Sequence, residues 1–102
     1  RYGHLAPDGT PRGPVLSLRD ERAEHADVQS AGSHVAIVWR SFDGQATLWR
    51  AWVSHDAGGS FELRELGRSS DDNDHPRLAR RGGQIFALWR TTQGVRVERL
   101  VP

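Results

Sequence analysis

Hydrophobic residues in this chain come in short clusters that are separated by glycine and polar residues. The two strongest clusters, AIVW at 36–39 and IFALW at 85–89, are continuous rather than alternating. A strand with one wet face alternates apolar and polar side chains, whereas a strand covered on both faces has a continuous apolar run. An apolar period of about 3.6 residues persists nowhere for three turns, so the pattern predicts no helix. We therefore predict an all-β protein whose central strands are covered on both faces.

The chain also repeats itself at an offset of 50 residues, with no gap over the matched stretch. The identical positions are His25/His75, Gly32/Gly82, Trp39-Arg40/Trp89-Arg90 and Gly44/Gly94. A unit of about 40–50 residues that is built from short strands has the period of a β-propeller blade. The 102 residues therefore predict about two four-stranded antiparallel blades.

Turn signals divide each unit into short strands. Gly32-Ser33 and Asp43-Gly44 indicate hairpins, because glycine and aspartate tolerate the backbone of a tight turn. The strands are predicted at 14–18, 25–30, 34–41, 47–54, 61–66, 75–80, 84–91 and 95–101, with a polar connection at 68–74. The chain is predicted to divide into three parts. Residues 1–24 are the end of a preceding blade and include a spare fourth strand that could complete another blade. Residues 25–74 form a complete blade, and residues 75–102 form three strands of the last blade.

The loop between the third and fourth predicted strands carries a specific motif. Residues 54–61 (SHDAGGSF) fit the pattern Ser-x-Asp-x-Gly-x-(Ser/Thr)-(Trp/Phe). Asp56 can accept hydrogen bonds from loop N–H groups, Gly58 permits a positive φ, and Phe61 supplies an apolar plug. This is the Asp-box pattern, and with it the chain resembles sialidase-like (BNR-repeat) β-propellers, in which the box is structural. The motif positions are Ser54, Asp56, Gly58, Ser60 and Phe61.

The resemblance implies a sialidase-like, all-β propeller, with this chain as part of a six-bladed propeller or assembling into one. It also implies a periplasmic or secreted protein that binds its ligand where the connections between units reach the innermost strands. Two charged stretches, 18–27 and 68–77, arrive at that place. The candidate ligand-binding residues there are Arg22, His25, Asp27, Asp74, His75 and Arg77.

The strongest candidates also have structural interpretations. His25 and His75 occupy the same repeat position, so they either contact a ligand or metal or form a hydrogen bond between blades. Arg77 can bind a carboxylate through two parallel hydrogen bonds. It can instead form a surface salt bridge with Asp72 or Asp74.

Two further arginines recur with the repeat. Arg40 and Arg90 follow Trp39 and Trp89, and we expect them to stack on tryptophan or to pair between blades. The four tryptophans of the chain are expected in the core between blades rather than on a platform for sugar stacking.

Composition narrows the function classes. Fourteen arginines against thirteen acidic residues give a net charge of +1, which argues against a nucleic-acid partner. No apolar run approaches about 18 residues, so no membrane span is predicted. The absence of cysteine excludes disulfides and thiolate chemistry. No motif predicts a cofactor, and no HxH or HExxH spacing predicts a metal site.

The sequence does not favour an enzyme for this chain alone. By resemblance, a sialidase site uses an arginine triad, a Tyr-Glu nucleophile pair and an aspartic acid, yet the only tyrosine is Tyr2 near the terminus. The leading hypothesis is a non-catalytic or accessory segment that binds a glycan or other small polar ligand. The alternatives are a fragment of an exo-sialidase-type glycoside hydrolase and a metal-binding propeller that uses His25 and His75.

Two blades cannot close a propeller by themselves, because each would expose a large apolar face. The missing partner is expected to be either further copies of the chain, in a homo-oligomer such as a trimer, or the remainder of a longer propeller chain. The start at Arg1 rather than Met and the diverged N-terminal loop at 4–11 favour the longer chain.

Overall fold

The computed structural model describes residues 1–17 and 20–101. Within these ranges the chain forms nine strands and no helix, which confirms the all-β prediction. The strands are β1 (Tyr2–Leu5), β2 (Pro11–Leu16), β3 (Glu24–Ala31), β4 (His34–Phe42), β5 (Thr47–Ser54), β6 (Glu62–Ser69), β7 (Arg77–Arg81), β8 (Gln84–Thr91) and β9 (Gly94–Val101). They form three antiparallel sheets: the hairpin sheet β1-β2, the four-stranded sheet β3-β4-β5-β6 and the three-stranded sheet β7-β8-β9. Over the same ranges no helix is long and apolar enough to cross a membrane.

Most strands lie where the sequence predicts them. β5 and β8 have the predicted bounds, and β3, β4 and β9 differ from the prediction by at most one residue at either end. Every sheet joins strands that are consecutive in the chain, which is what tight turns between them require. The glycines of these turns, such as Gly32 and Gly82, have positive φ.

The hairpin sheet differs from the prediction. β1 is missing from the predicted strands because it is short and contains Gly3, so its conformation depends on pairing with β2. β2 covers 11–16 instead of 14–18, and Leu18 lies outside the described residues. Asp8 closes the turn of this hairpin, since its Oδ1 accepts hydrogen bonds from Thr10 N at 3.0 Å and Thr10 Oγ1 at 2.7 Å.

Two further boundaries differ for local reasons. β6 continues through 67–69, past its predicted end at 66 and into the predicted connection at 68–74, because these residues pair with β5 beyond a bulge. β7 begins at Arg77 rather than at His75, because Pro76 has no N–H group to donate to a neighbouring strand.

The main core lies between the four-stranded and three-stranded sheets. Trp49 and Trp89 are fully buried there, with ring centroids 5.6 Å apart. Small and β-branched side chains of both sheets fill the space around the two rings, namely Ala36, Val38, Ala51, Val53, Ile85 and Ala87. Burial of this apolar surface is the main force that holds the two sheets face to face.

The opposite face of the four-stranded sheet is also covered. Trp39 is only 1% exposed and its Nε1 donates to Asp20 Oδ2 at 2.9 Å. At the other end of this face Phe61 stacks on Trp52, and Tyr2 of the hairpin sheet packs on Phe61. β4 is therefore covered on both faces, as its continuous apolar run predicts.

The face of the three-stranded sheet that points away from the main core has no cover among the described residues. Phe86 and Leu88 of β8 are half-buried, while Val95 and Val97 of β9 are 61% and 56% exposed. The register places these four side chains on one face, because Leu88 lies opposite Val97. We call this surface (Phe86, Leu88, Val95 and Val97) the outer face.

Strand direction divides the loops between two ends of the sheets. The connections 20–23, 43–46, 70–76 and 92–93 lie at one end, which we call the connection face. The turns 32–33, 55–61 and 82–83 lie at the opposite end, which we call the turn face.

Candidate ligand-binding site

The connection face brings together most of the predicted ligand residues. His25 and His75 stack with ring centroids 3.5 Å apart and planes only 9° from parallel. A bulge in β3 places His25 there and gives it an unusual φ of 54°. Both rings line a depression of about 330 Å³, together with Asp27 and Arg77.

The Asp27 carboxylate has a structural role at this site. Its Oδ2 accepts a hydrogen bond from the backbone N–H of Leu78 at 2.9 Å, and its Oδ1 accepts one from Val28 N at 3.0 Å. The first of these bonds joins β3 to β7 across the two sheets. Asp27 therefore forms one wall of the depression while its oxygens already have donors.

Asp74 lies in the adjoining depression, which His75 and Arg77 also line. Arg90 donates to both of its oxygens, at 2.6 Å and 2.7 Å, in a bidentate pair. These hydrogen bonds hold the pKa of Asp74 below its ordinary value, against the smaller opposing effect of burial. The carboxylate is thus already neutralised within its own sheet.

The repeat carries an equivalent ion pair in the four-stranded sheet. Arg40 Nε donates to Glu24 Oε1 at 2.8 Å, and Glu24 precedes Asp74 by the repeat offset of 50 residues. Arg40 also donates to Asn73 Oδ1 at 3.1 Å, so it links the four-stranded sheet to the connection that follows it. Arg40 and Arg90 therefore pair with acids, and of the two only Arg40 also bonds to the connection between the two larger sheets.

Arg77 differs from the neighbouring charged residues. Within the described part of the chain its guanidinium makes no hydrogen bond or salt bridge, including the expected one with Asp72 or Asp74. Its side chain lines both depressions of this face. An exposed guanidinium beside a stacked pair of imidazoles has the donor geometry that binds carboxylates and sugar hydroxyls.

Arg22 lies apart from the other candidates. Its Nη1 is 3.5 Å from the carbonyl oxygen of Phe42, at the far end of β4, and it lines neither depression. The turn that holds it is closed by a hydrogen bond from Arg22 N to Asp20 Oδ1 at 3.2 Å. The structure therefore gathers His25, Asp27, Asp74, His75 and Arg77, and leaves Arg22 outside.

Asp20 is an organising residue that the sequence does not reveal. Its carboxylate accepts hydrogen bonds from Trp39 Nε1 at 2.9 Å, Ser41 Oγ at 2.8 Å and Arg50 Nη1 at 3.1 Å. Burial disfavours the charged form, yet these bonds and the one from Arg22 N together lower the pKa of Asp20. No local motif identifies this role, because the three side-chain donors come from two neighbouring strands.

A second and larger cleft of about 460 Å³ also lies at the connection face. Its two arginines are already engaged: Arg68 donates to Asp43 Oδ2 at 3.1 Å, and Arg96 donates to Glu98 Oε1 at 2.9 Å. The Arg96 guanidinium also lies over the ring of Trp49, 5.7 Å from its centroid. We therefore place the candidate site at Arg77, whose donors are not used in this way.

The Asp-box loop lies at the turn face, away from the candidate site. Asp56 Oδ1 accepts hydrogen bonds from Ser60 N at 2.9 Å and Ser54 Oγ at 2.7 Å, and Oδ2 accepts one from Ser60 Oγ at 2.7 Å. These bonds from Ser60 and Ser54 lower the pKa of Asp56 to about 2. Ser54 Oγ in turn accepts a hydrogen bond from the N–H of Gly58 at 2.9 Å. The side chains of both Ser54 and Asp56 therefore hold the loop closed.

The aromatic end of this loop fixes the position of Tyr2. Phe61 stacks on Trp52 at 4.3 Å and meets the Tyr2 ring edge-on at 4.9 Å. The chain's only tyrosine therefore lies at the turn face, where it cannot act on a ligand beside Arg77.

The geometry weighs against a metal held by His25 and His75. A metal ligated by imidazole lies in the plane of the ring, and two nearly parallel planes do not meet at a metal distance of about 2.0 Å. No group of three histidine, aspartate or glutamate side chains converges on one point within residues 1–17 and 20–101.

Comparisons with known proteins add no relative: no protein-family model, curated protein or solved structure matches the chain.

Proposed function

We propose that the chain forms two blades of a sialidase-like β-propeller and serves as its non-catalytic or accessory ligand-binding segment. The ligand is a glycan or another small polar molecule with a carboxylate, and it binds at the connection face beside Arg77. As the resemblance implies, we expect such a protein in the periplasm or outside the cell.

The sheet arrangement supports the blade part of the proposal. Each of the two larger sheets is a meander of consecutive antiparallel strands, which is the connectivity of a propeller blade. These sheets pack face to face, and their first strands, β3 and β7, contact each other. The hairpin sheet supplies the next layer, and its Gly9 precedes Gly59 of the Asp-box loop by the repeat offset.

The two faces of the repeat support a further blade beyond the three-stranded sheet. Val38 of β4 is fully buried by that sheet, and Leu88 is its equivalent in β8. The outer face thus repeats a surface that is buried elsewhere in the same chain. Either the remainder of a longer propeller chain or a second copy in a homo-oligomer would cover it.

The unpaired guanidinium of Arg77 is the observation that carries the ligand-binding part. Asp27, Asp74 and Arg90 have their hydrogen bonds satisfied within the fold, so they shape the site without competing for the ligand. Arg77 is left to form a bidentate pair with a carboxylate. The stacked imidazoles beside it offer further donors and a flat surface for a sugar ring.

The same geometry supports a binding role rather than a catalytic one. Glycoside hydrolysis requires two carboxyl groups free to act as acid and as base or nucleophile. Asp27 accepts two backbone N–H groups and Asp74 is held by Arg90, so neither is free at this site.

An NMR titration tests the proposal directly. Glucuronate, an acidic monosaccharide, is expected to shift the amide signals of residues 26–27 and 77–78, whereas glucose produces smaller shifts. Arg77→Ala should weaken glucuronate binding by about tenfold, the loss of one charge-assisted pair. The matched control is Arg81→Ala, since Arg81 is an exposed arginine on the same side of β7.

Two results would overturn this proposal. One is that glucuronate shifts signals elsewhere or none at all at the connection face. The other is that Arg77→Ala and Arg81→Ala bind glucuronate equally well.

A further inference from the structure

A second histidine pair lies at the turn face, opposite the candidate ligand site. The Nδ1 atoms of His34 and His55 are 2.8 Å apart, and the rings meet edge-on at 81° with centroids 4.9 Å apart. His34 is the half-buried first residue of β4, and His55 is exposed in the Asp-box loop. In the metal-free protein one Nδ1–H donates to the other Nδ1.

We propose that His34 and His55 form a two-imidazole site for a divalent metal of square-planar preference, Cu²⁺ or Ni²⁺. Imidazole nitrogen is a preferred ligand for these ions. The two Nδ1 atoms would be two adjacent (cis) ligands of the square-planar metal. Water molecules complete the coordination, because no third histidine or carboxylate within the described residues converges on the pair.

Ring orientation distinguishes this pair from the stacked one. A metal must lie in the plane of each imidazole that binds it, and the planes of His34 and His55 cross at a steep angle. The two planes therefore share a line on which a metal lies in the plane of both rings, and each ring tilts to turn its Nδ1, which points at the other Nδ1 in the metal-free protein, toward that line. The planes of His25 and His75 are only 9° from parallel and offer no such position.

The nitrogen separation selects the metal. Two donors that are each about 2.0 Å from a metal lie about 2.8 Å apart at a right angle and about 3.3 Å apart at the tetrahedral angle. The observed separation of 2.8 Å fits the right angle. Square-planar Cu²⁺ or Ni²⁺ therefore binds without separating the two nitrogens, once each ring tilts away from the hydrogen bond between them, whereas tetrahedral Zn²⁺ has to push the rings apart as well.

Hydrogen bonds of the surrounding loop hold the backbone beside both histidines in place before a metal arrives. Ala57 N donates to the carbonyl oxygen of Ser33 at 2.7 Å, which ties the loop of His55 to the turn before His34. The carboxylate of Asp56, next to His55, holds the loop closed through Ser54 and Ser60. Preorganised ligands lose less conformational freedom on binding, which favours affinity.

Proton balance at the site is simple. The proton that the two Nδ1 atoms share moves to the Nε2 atom of the same ring, so both imidazoles stay neutral. The metal takes the place of the hydrogen bond. No oxidant or reductant takes part.

The test is a titration of the purified chain with CuCl₂, followed by electron paramagnetic resonance and by NMR line broadening. We expect one tight equivalent of Cu²⁺ with two coordinated nitrogens and broadening centred on His34 and His55. His34→Gln and His55→Gln should each weaken binding by at least about tenfold. His55→Gln should keep the melting temperature of the metal-free protein, because this side chain is exposed.

Matched controls separate this site from other nitrogen donors. His25→Gln and His75→Gln remove the stacked pair, and His4→Gln removes the histidine nearest the terminal amine; all three should leave binding unchanged. The proposal is overturned if His55→Gln binds Cu²⁺ as tightly as the unchanged protein, or if the spectrum contains a single nitrogen. It is also overturned if Zn²⁺ binds more tightly than Cu²⁺. Glucuronate binding at the opposite face is independent of all these results.

Discussion

The four-stranded and three-stranded sheets have the same sequence pattern but different surroundings. β4 lies between two covered faces, with Trp39 against Asp20, which precedes β3, and Val38 against the next sheet. β8 has the same continuous apolar run, yet its Leu88 lies on the outer face. An apolar run thus indicates that a strand is suited to packing on both faces. It does not indicate that the same chain supplies both covers.

The largest effect is expected at the position where the two sheets differ most. Trp49 lies opposite Arg40 and is fully buried. Val95 has the same place in the register of the three-stranded sheet, opposite Arg90, and is 61% exposed. Trp49→Ala should lower the free energy of unfolding by about 3–5 kcal/mol, because it removes a large buried side chain and leaves a cavity. Val95→Ala should change it by less than about 0.5 kcal/mol. Urea denaturation followed by circular dichroism measures both.

The result for Val95→Ala tests whether the outer face of the three-stranded sheet is exposed in solution. A loss for Val95→Ala as large as that for Trp49→Ala would mean that the outer face is covered in solution. The three-stranded sheet would then be packed on both faces, as the four-stranded sheet is. The exposure of Val95 would be a property of a single copy of the chain only.

The next largest effect concerns Asp20, which anchors one face of the four-stranded sheet. Asp20→Ala leaves the donors of Trp39, Ser41 and Arg50 without their acceptor, so we expect a loss of about 2–3 kcal/mol in the free energy of unfolding. The three-stranded sheet has no such carboxylate, since Trp89 Nε1 donates to the backbone oxygen of Asp74.

The control for Asp20 is Ser70→Ala, at the exposed position one repeat later. This change should have almost no effect on denaturation by urea. A small loss for Asp20→Ala would mean that water replaces the carboxylate, and that Asp20 does not anchor this face of the four-stranded sheet.

The smallest expected effect concerns pH and the Asp-box loop, which belongs to the four-stranded sheet alone. Because the pKa of Asp56 falls from 3.8 to about 2 on folding, its contribution to stability is present above about pH 4. That contribution is lost as the pH falls through about 2. The difference in melting temperature between the unchanged protein and Asp56→Asn should therefore shrink steadily between pH 4 and pH 2.

The matched control for this pH series is Asp72→Asn. The exposed Asp72 carboxylate accepts no hydrogen bond from the described residues, so this variant should melt like the unchanged protein throughout. A constant difference for Asp56→Asn down to pH 2 would show that its hydrogen bonds are equally strong with a neutral side chain.

Local signals account for the parts of the fold that the sequence predicts well. β5 and β8 are bounded by turns that contain Gly44 and Gly83 or by the Asp-box loop, so their ends follow from neighbouring residues. The hydrogen bonds of Asp56 are similarly local, because its donors lie within four residues. β1 has no such signal and forms only because β2 pairs with it.

Contacts between distant residues explain what the sequence misses at the site. The repeat brings His25 and His75 to equivalent places in neighbouring sheets, but their stacking depends on a bulge that no motif predicts. His34 and His55 are 21 residues apart in the chain, and their contact follows only from the pairing of β4 with β5 and the closed loop beyond it.

The neighbouring Trp and Arg of each repeat point to opposite faces of their sheet, so the two faces of the molecule are different. Trp39 points to the layer before its sheet and Arg40 to the layer after it, and Trp89 likewise points backwards. A two-fold dimer joins like surfaces, so it would place one outer face against another and reverse this order. Copies that keep the order must instead associate head to tail, by the same rotation at every step. Such growth stops only when the rotation closes on itself, and otherwise it continues into a filament.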